Sequence, residues 1–229
     1  MRSWKFVVPV LVIVLFASSA LAAGSSMSSS STSSGNWTFG IQGGASVPTS
    51  DYGSDFSAGW NIGGQADYWL NPQWGLGVDA GYHSTNAKDE FNNTTFGSTT
   101  TPADGKTDFL QYGVHAVYMI PMQGAQVHPY LQGGVGGYNV KIKVDNATKP
   151  TTESIDESKN KFGFNVGAGV DFHATNVVNL GINGTYHYVS GTDDIVPSAQ
   201  VPSGFSFPSN NSWFGIQGRV TFMIPVSGK

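Results

Sequence analysis

From Phe162 to Phe172 every second residue is apolar: Phe162, Phe164, Val166, Ala168, Val170 and Phe172. A period of two describes a strand with one oily face and one polar face. The polar face is unusual, because it carries Gly163, Asn165, Gly167, Gly169, Asp171 and then His173 where a solvated strand would carry Lys, Glu or Thr. Comparable alternation recurs along the chain and predicts strands over 37–48, 58–70, 74–83, 107–121, 128–144, 160–173, 177–190 and 211–225. In the fifth of these the alternation changes phase around Gly136 and Gly137, where a bulge or bend is expected.

The links between these segments alternate in length. NPQ, MQGAQV and ATN are short, whereas 84–106, 145–159 and 191–210 are long and rich in Ser, Thr, Asn, Asp, Gly and Pro. No segment after the N-terminus approaches the unbroken apolar length of a helical span, while most alternating segments reach the length of a tilted membrane strand. The expected fold is all-β: an eight-stranded antiparallel up-and-down transmembrane β-barrel with short periplasmic turns and longer extracellular loops. A soluble sandwich or lipocalin-like barrel would carry charge on its exposed faces. Here Trp37, Trp60, Trp74, Tyr118, Tyr130, Phe172, Tyr188 and Phe214 lie near strand ends, as the aromatic girdles of a membrane barrel would.

Composition fits this picture. Of 229 residues only 11% are charged, while 13% are aromatic and 30 are glycine. Residues 1–22 read as a signal peptide, with Arg2 and Lys5, the apolar run FVVPVLVIVLFA and the small residues SSALAA, and with cleavage after Ala22. Residues 23–36 read as a Ser-rich flexible tether, and 37–229 as the barrel domain. Without Arg2 and Lys5 the chain keeps 9 basic and 15 acidic residues, a net charge of −6, which disfavours nucleic acid as a partner. Cysteine is absent, so disulfides, thiol catalysis and cysteine metal sites are excluded.

The segments WTFGIQGGASVPTSDY, GWNIGGQADYWLNPQWGLGVDAGY and VHPYLQGGVGGY, in this order behind a signal peptide, resemble the small eight-stranded outer-membrane barrels of Gram-negative bacteria, the OmpA/OmpX-like group described as outer membrane protein beta-barrel domain. The resemblance covers about residues 37 to 225. It implies a cell outer membrane location, contact with outer-membrane lipid and lipopolysaccharide, insertion by the barrel assembly machinery and a monomeric state. The chain departs from the family pattern at its C-terminus, where Phe222 is followed by MIPVSGK rather than ending the chain on an aromatic residue.

In a barrel of this size the polar alternates point into a lumen that side chains fill. Parity sends Gln42, Gln65, Asp67, Asp79, Gln111, His115, Asn165, Asp171, Gln217 and Arg219 inside, together with His83, Asn183 and His187. Arg219 faces three acids, and an unpaired buried charge is costly, so it is expected to pair with Asp67, Asp79 or Asp171. The remaining imbalance calls for interior water or a proton on a histidine or carboxyl group. Such a lumen is either a hydrogen-bonded plug or a gate whose ion pairs rearrange to pass ions, and the plug is preferred because eight strands leave little room.

Catalytic signals are weak. GAGVDF (167–172) lacks the third glycine of a dinucleotide loop and precedes no helix. The five histidines fall on different strands, are expected at different heights, and are read as isolated rather than as metal ligands; no cofactor is expected. His83–Ser84 and HYVSGTDD (187–194) are the nearest approach to a Ser–His pair of a lipid A-modifying enzyme and read as strand-to-loop junctions. The expected function is a non-enzymatic barrel serving envelope integrity or contact with a surface ligand or host partner. The alternatives are a narrow porin-like channel or small-hydrophobe conduit and, third, a lipid A-modifying enzyme.

Overall fold

The computed structural model describes residues 35–96, 103–122, 126–147, 154–203 and 206–224. The expected signal peptide, residues 23–34 of the expected tether and the C-terminal segment from Pro225 onward lie outside these. Eight strands form in chain order: β1 (Trp37–Thr49), β2 (Gly59–Trp69), β3 (Trp74–Asn86), β4 (Asp104–Met119), β5 (Val127–Asp145), β6 (Ile155–His173), β7 (Val178–Ser190) and β8 (Asn210–Ile224). Each pairs antiparallel with the next, and β1 closes on β8 from Trp37↔Ile224 to Thr49↔Ser212, giving a closed up-and-down barrel. Closure leaves every strand paired along its bilayer-height portion.

Strands β2, β4 and β6 end and β3, β5 and β7 begin at one end of the barrel, the short-turn end, whereas β1, β3, β5 and β7 end and β2, β4, β6 and β8 begin at the other, the long-loop end. At the long-loop end β3, β4 and β6 run further than their oily alternation suggests. Residues 155–159, expected in a loop, are strand.

The alternation in β5 has a different cause from the expected bulge. Gly136 and Gly137 pair in unbroken register with Gly113 and Tyr112 on one side and with Gly163 and Phe162 on the other. The backbone is regular, and the surroundings change instead. Toward the short-turn end, outward Leu131 and Val135 are exposed. Beyond Gly137, inward Val140, Ile142 and Val144 are buried and the outward positions are Asn139, Lys141 and Lys143. One half of the barrel is oily outside, as in a bilayer; the other half is oily inside, as in a protein surrounded by water.

The outward band comprises Ile41, Ile62, Val78, Val114, Val166, Ile182 and Ile216, all exposed. An apolar surface of this extent is stable against lipid and not against water. Above it, Phe109, Tyr138, Val140, Ile142, Val144, Ile155 and Trp213 form an interior core with Phe96, Ile195 and Val196 of the long loops. Helix α1 (Ser50–Asp55) folds Tyr52 into the same core, its ring edge-on to Phe109 at 5.8 Å. At the short-turn end Trp69, Val117 and Tyr130 form a smaller buried cluster with Met119. Among the described residues no helix is long and apolar enough to cross a membrane, which says nothing against crossing by strands.

Candidate functional site

Between these two apolar layers the inward side chains are polar. Asp67 on β2 accepts hydrogen bonds from Thr38 Oγ1 at 3.1 Å and Gln65 Nε2 at 2.9 Å. His115 on β4 reaches Asp67 Oδ1 through Nε2 at 2.6 Å and Asp79 Oδ1 through Nδ1 at 2.9 Å. Gln111 Nε2 donates to the other oxygen of Asp79. A neutral imidazole donates from one nitrogen only, so two carboxylate partners require an imidazolium or a proton on one carboxyl group. The three groups therefore carry one more proton than a neutral histidine between two carboxylates would.

Arg219 on β8 meets the third acid. Its Nη2 lies 3.3 Å from Asp171 Oδ2, and its Nη1 donates to the Tyr130 hydroxyl at 2.6 Å. Neighbouring glycines make the space. A Cβ at Gly181 would overlap Asp171 Oδ1 and approach Arg219 Cγ, and one at Gly77 would overlap Asp67 Oδ1 and approach His115 Nε2.

Toward the long-loop end the polar groups merge with aromatic ones. Trp213 Nε1 donates to His83 Nδ1 at 3.1 Å, Ser46 Oγ lies 3.0 Å from the same nitrogen, and Asn61 Nδ2 donates to Ser46 Oγ at 3.1 Å. His187 stacks on Trp213 at 4.9 Å and meets the Tyr138 hydroxyl at 3.2 Å. Gln217 Nε2 donates to Asn61 Oδ1 at 2.8 Å. Between the two networks is a cavity of about 20 Å³, lined among others by Gln42, Gln65, Gln111, Gln132, Asn165 and Gln217. That is room for about one water molecule, and the unpartnered Gln42 Oε1 and Gln132 Oε1 supply acceptors for it.

The ten interior candidates, Gln42, Gln65, Asp67, Asp79, Gln111, His115, Asn165, Asp171, Gln217 and Arg219, all lie at inward positions of their strands. Of the girdle candidates, Trp37, Trp60, Trp74, Phe172 and Phe214 are exposed on the outer surface. Tyr118 and Tyr188 are half-buried and pack on Trp74 at 4.8 Å and Phe164 at 5.2 Å. Tyr130 is a correction. It is 1% exposed against 41% for Trp37, and it belongs to the interior with Arg219. Its position near a strand end suggested a girdle, but it lies at an even-numbered inward position of β5, in line with Gln132 and Tyr138.

The histidines also need correcting. His83 and His187 have ring centroids 4.7 Å apart, and His128 and His173 4.3 Å apart, so four of them meet in pairs. Among the described residues no group of three or more His, Asp or Glu side chains is arranged to hold a metal ion. His83 bonds to Ser46 rather than to Ser84, and Ser46 and His83 are both buried. Sequence reasoning missed Trp213, although counting back from Arg219 through Gln217 and Gly215 on the inward face of β8 leads to it.

Residues 10–207 match the family model described as outer membrane protein beta-barrel domain. A major outer membrane protein from Thermus thermophilus is similar in structure, with a TM-score of 0.52 and 15% identity over 82% of this chain and 99% of that one. Neisserial surface protein A is similar with a TM-score of 0.50 and 20% identity, over 82% of this chain and 97% of that one. At these identities the likeness bears on the fold. No curated protein sequence matches the chain.

Proposed function

Because the chain belongs to the outer membrane protein beta-barrel domain family, we propose that this outer-membrane barrel is a non-enzymatic, plugged cylinder that serves envelope integrity and presents its long-loop end outside the cell. The observation that carries this reading is the cavity of about 20 Å³, set between the Trp69–Val117–Tyr130 cluster and the core around Trp213. Ions need a continuous aqueous path, and a small cavity between two apolar clusters favours a plug over such a path. The paired charges and amides take the place of a hydrophobic core, holding strands together across the lumen.

In this reading residues 1–22 direct export and are removed, and 23–36 tether the barrel on the periplasmic side. The exposed apolar band contacts outer-membrane lipid and lipopolysaccharide, the barrel assembly machinery inserts the monomer, and the loops meet a surface ligand or host partner. Planar-bilayer recordings of the wild type and Arg219→Ala test the plug: no stable openings are expected from the wild type. Discrete openings that change with the substitution would establish the channel alternative instead. Protease shaving of whole cells tests the orientation, with cleavage expected in 87–103, 146–154 or 191–209 and not in 70–73 or 174–177.

A further inference from the structure

Two histidines meet at the short-turn end of the barrel. His128 lies at the start of β5 and His173 at the end of β6, both at inward positions, and both residues are half-buried. Their ring centroids are 4.3 Å apart, with the ring planes 30° from parallel. Strand pairing fixes the meeting: His128 faces Asp171 in the β5–β6 ladder, and His173 faces Asn179 in the β6–β7 ladder.

The hydrogen bonds locate the lone pairs. A carbonyl oxygen only accepts, so the 2.7 Å contact of His173 Nδ1 with Asn179 Oδ1 requires the proton on Nδ1. In the neutral ring the lone pair then belongs to Nε2, and an orienting partner of this kind is what a metal-ligating histidine commonly has. Nε2 of His128 is buried and has no hydrogen-bond partner. Leaving a buried ring nitrogen without a partner costs free energy, and a metal ion would supply the partner. Asp171 is committed to Arg219 through Oδ2 and is not counted as a ligand. Ring spacing discriminates among metals. With metal–nitrogen bonds of about 2.0–2.1 Å a ring centroid lies about 3.2 Å from its metal, so two rings at a right angle are about 4.5 Å apart and two at the tetrahedral angle about 5.2 Å. The spacing of 4.3 Å fits the right angle of a tetragonal copper or nickel ion, and the order of divalent-metal affinities puts copper first.

We propose that His128 and His173 form a two-imidazole site for divalent copper at the short-turn mouth of the barrel, with Asn179 as a positioning residue and water completing the coordination. Both ligands sit on paired strands rather than on a turn, so a rigid frame holds the donors. The pair bridges β5 and β6, and Asn179 extends the hold to β7. The inference goes beyond the plug reading and holds whichever compartment the short turns face.

The test uses the full chain without an affinity tag, refolded in lipid nanodiscs and titrated with copper(II) chloride, read by calorimetry and electron paramagnetic resonance. Saturation at one copper per chain is the expected result, with hyperfine splitting from two imidazole nitrogens. His128→Ala and His173→Ala should each abolish the tight binding and reduce any remaining splitting to one nitrogen. Asn179→Ala keeps both ligands and should weaken binding by about 10–100-fold, the usual cost of removing an orienting partner. Heat-modifiable gel migration establishes that each variant is folded, and His128→Gln replaces the alanine variant if that one is not. No stoichiometric binding, binding unchanged by both histidine substitutions, or a wild-type spectrum with a single coupled nitrogen would each overturn the proposal. Zinc(II) bound as tightly as copper(II) would overturn the assignment of a right-angled copper site.

Discussion

Tyr130 holds Arg219 in two ways at once: its hydroxyl accepts from Nη1 at 2.6 Å, and its ring centroid lies 4.6 Å from the guanidinium carbon. The arginine enters the lumen from β8 and the tyrosine from β5, across the barrel from one another. Asp171 on β6 supplies the carboxylate, so strands distant in the chain are joined by one buried charge.

This relationship separates an interior tyrosine from an interfacial one by substitution. Tyr130→Phe keeps the ring but leaves Nη1 short of an acceptor, which should cost about 1–3 kcal/mol. Tyr130→Leu also loses the ring face and should cost about 0.5–2 kcal/mol more. Denaturant unfolding in lipid vesicles measures both. A Tyr130→Phe variant as stable as the wild type would contradict the buried hydrogen bond.

His115 bridges Asp67 and Asp79, and removing it strands two facing acids in the lumen. His115→Ala should destabilise the barrel by about 3–5 kcal/mol, the usual cost of leaving buried charge unpaired. Adding Asp67→Asn to that variant should recover part of the loss, because one of the orphaned charges is then gone. Nitrogen NMR of the folded barrel should show either both ring nitrogens of His115 protonated or a carboxyl proton on one of its partners. Two deprotonated carboxylates around a singly protonated ring would be inconsistent with the bonding geometry.

How far the chain could be read depended on how many environments each face meets. The segment 160–173 was legible because its two faces keep one environment each, lipid outside and the packed lumen inside. In β5 the oily positions switch from Leu131 and Val135 outside to Val140 and Ile142 inside, and an unbroken backbone imitated a bulge. Parity assigns a side chain to a face and leaves open how high it reaches or which way it leans. The joining of His115 to Asp67 and Asp79, or of His83 to Trp213, depends on strand tilt and closure and was therefore invisible. Tyr130 shows the converse: its parity points inward, while its nearness to a strand end imitates a girdle position.

The glycines of the lumen offer a matched comparison. Gly181 faces inward, where a Cβ would overlap Asp171 Oδ1, whereas a Cβ at outward Gly184 meets nothing within 4 Å. Gly181→Ala should therefore cost about 1–3 kcal/mol through displacement of the Asp171–Arg219 pair. Gly184→Ala should be neutral or slightly stabilising, since it lowers the entropy of the unfolded chain at no steric cost. Equal effects of the two substitutions on unfolding would mean that the inward slot is not tightly filled.

Acid should loosen the β7–β8 link before it loosens the barrel. The hydrogen bond from Lys161, aided by Lys159, holds the Asp194 carboxyl below its ordinary value of 3.8. A depressed carboxylate contributes its docking energy in full above that ordinary value and loses it as pH falls through the depressed one. At neutral pH the link should be docked, and below about pH 4 its amides should exchange progressively faster. Hydrogen exchange across residues 191–203, followed from pH 7 downward and corrected for intrinsic rates, measures this. Asp194→Asn removes the titrating group, so its link should exchange as fast at neutral pH as the wild type does in acid, with little further change. A wild-type link whose protection is independent of pH down to 3 would show that Asp194 contributes nothing to docking.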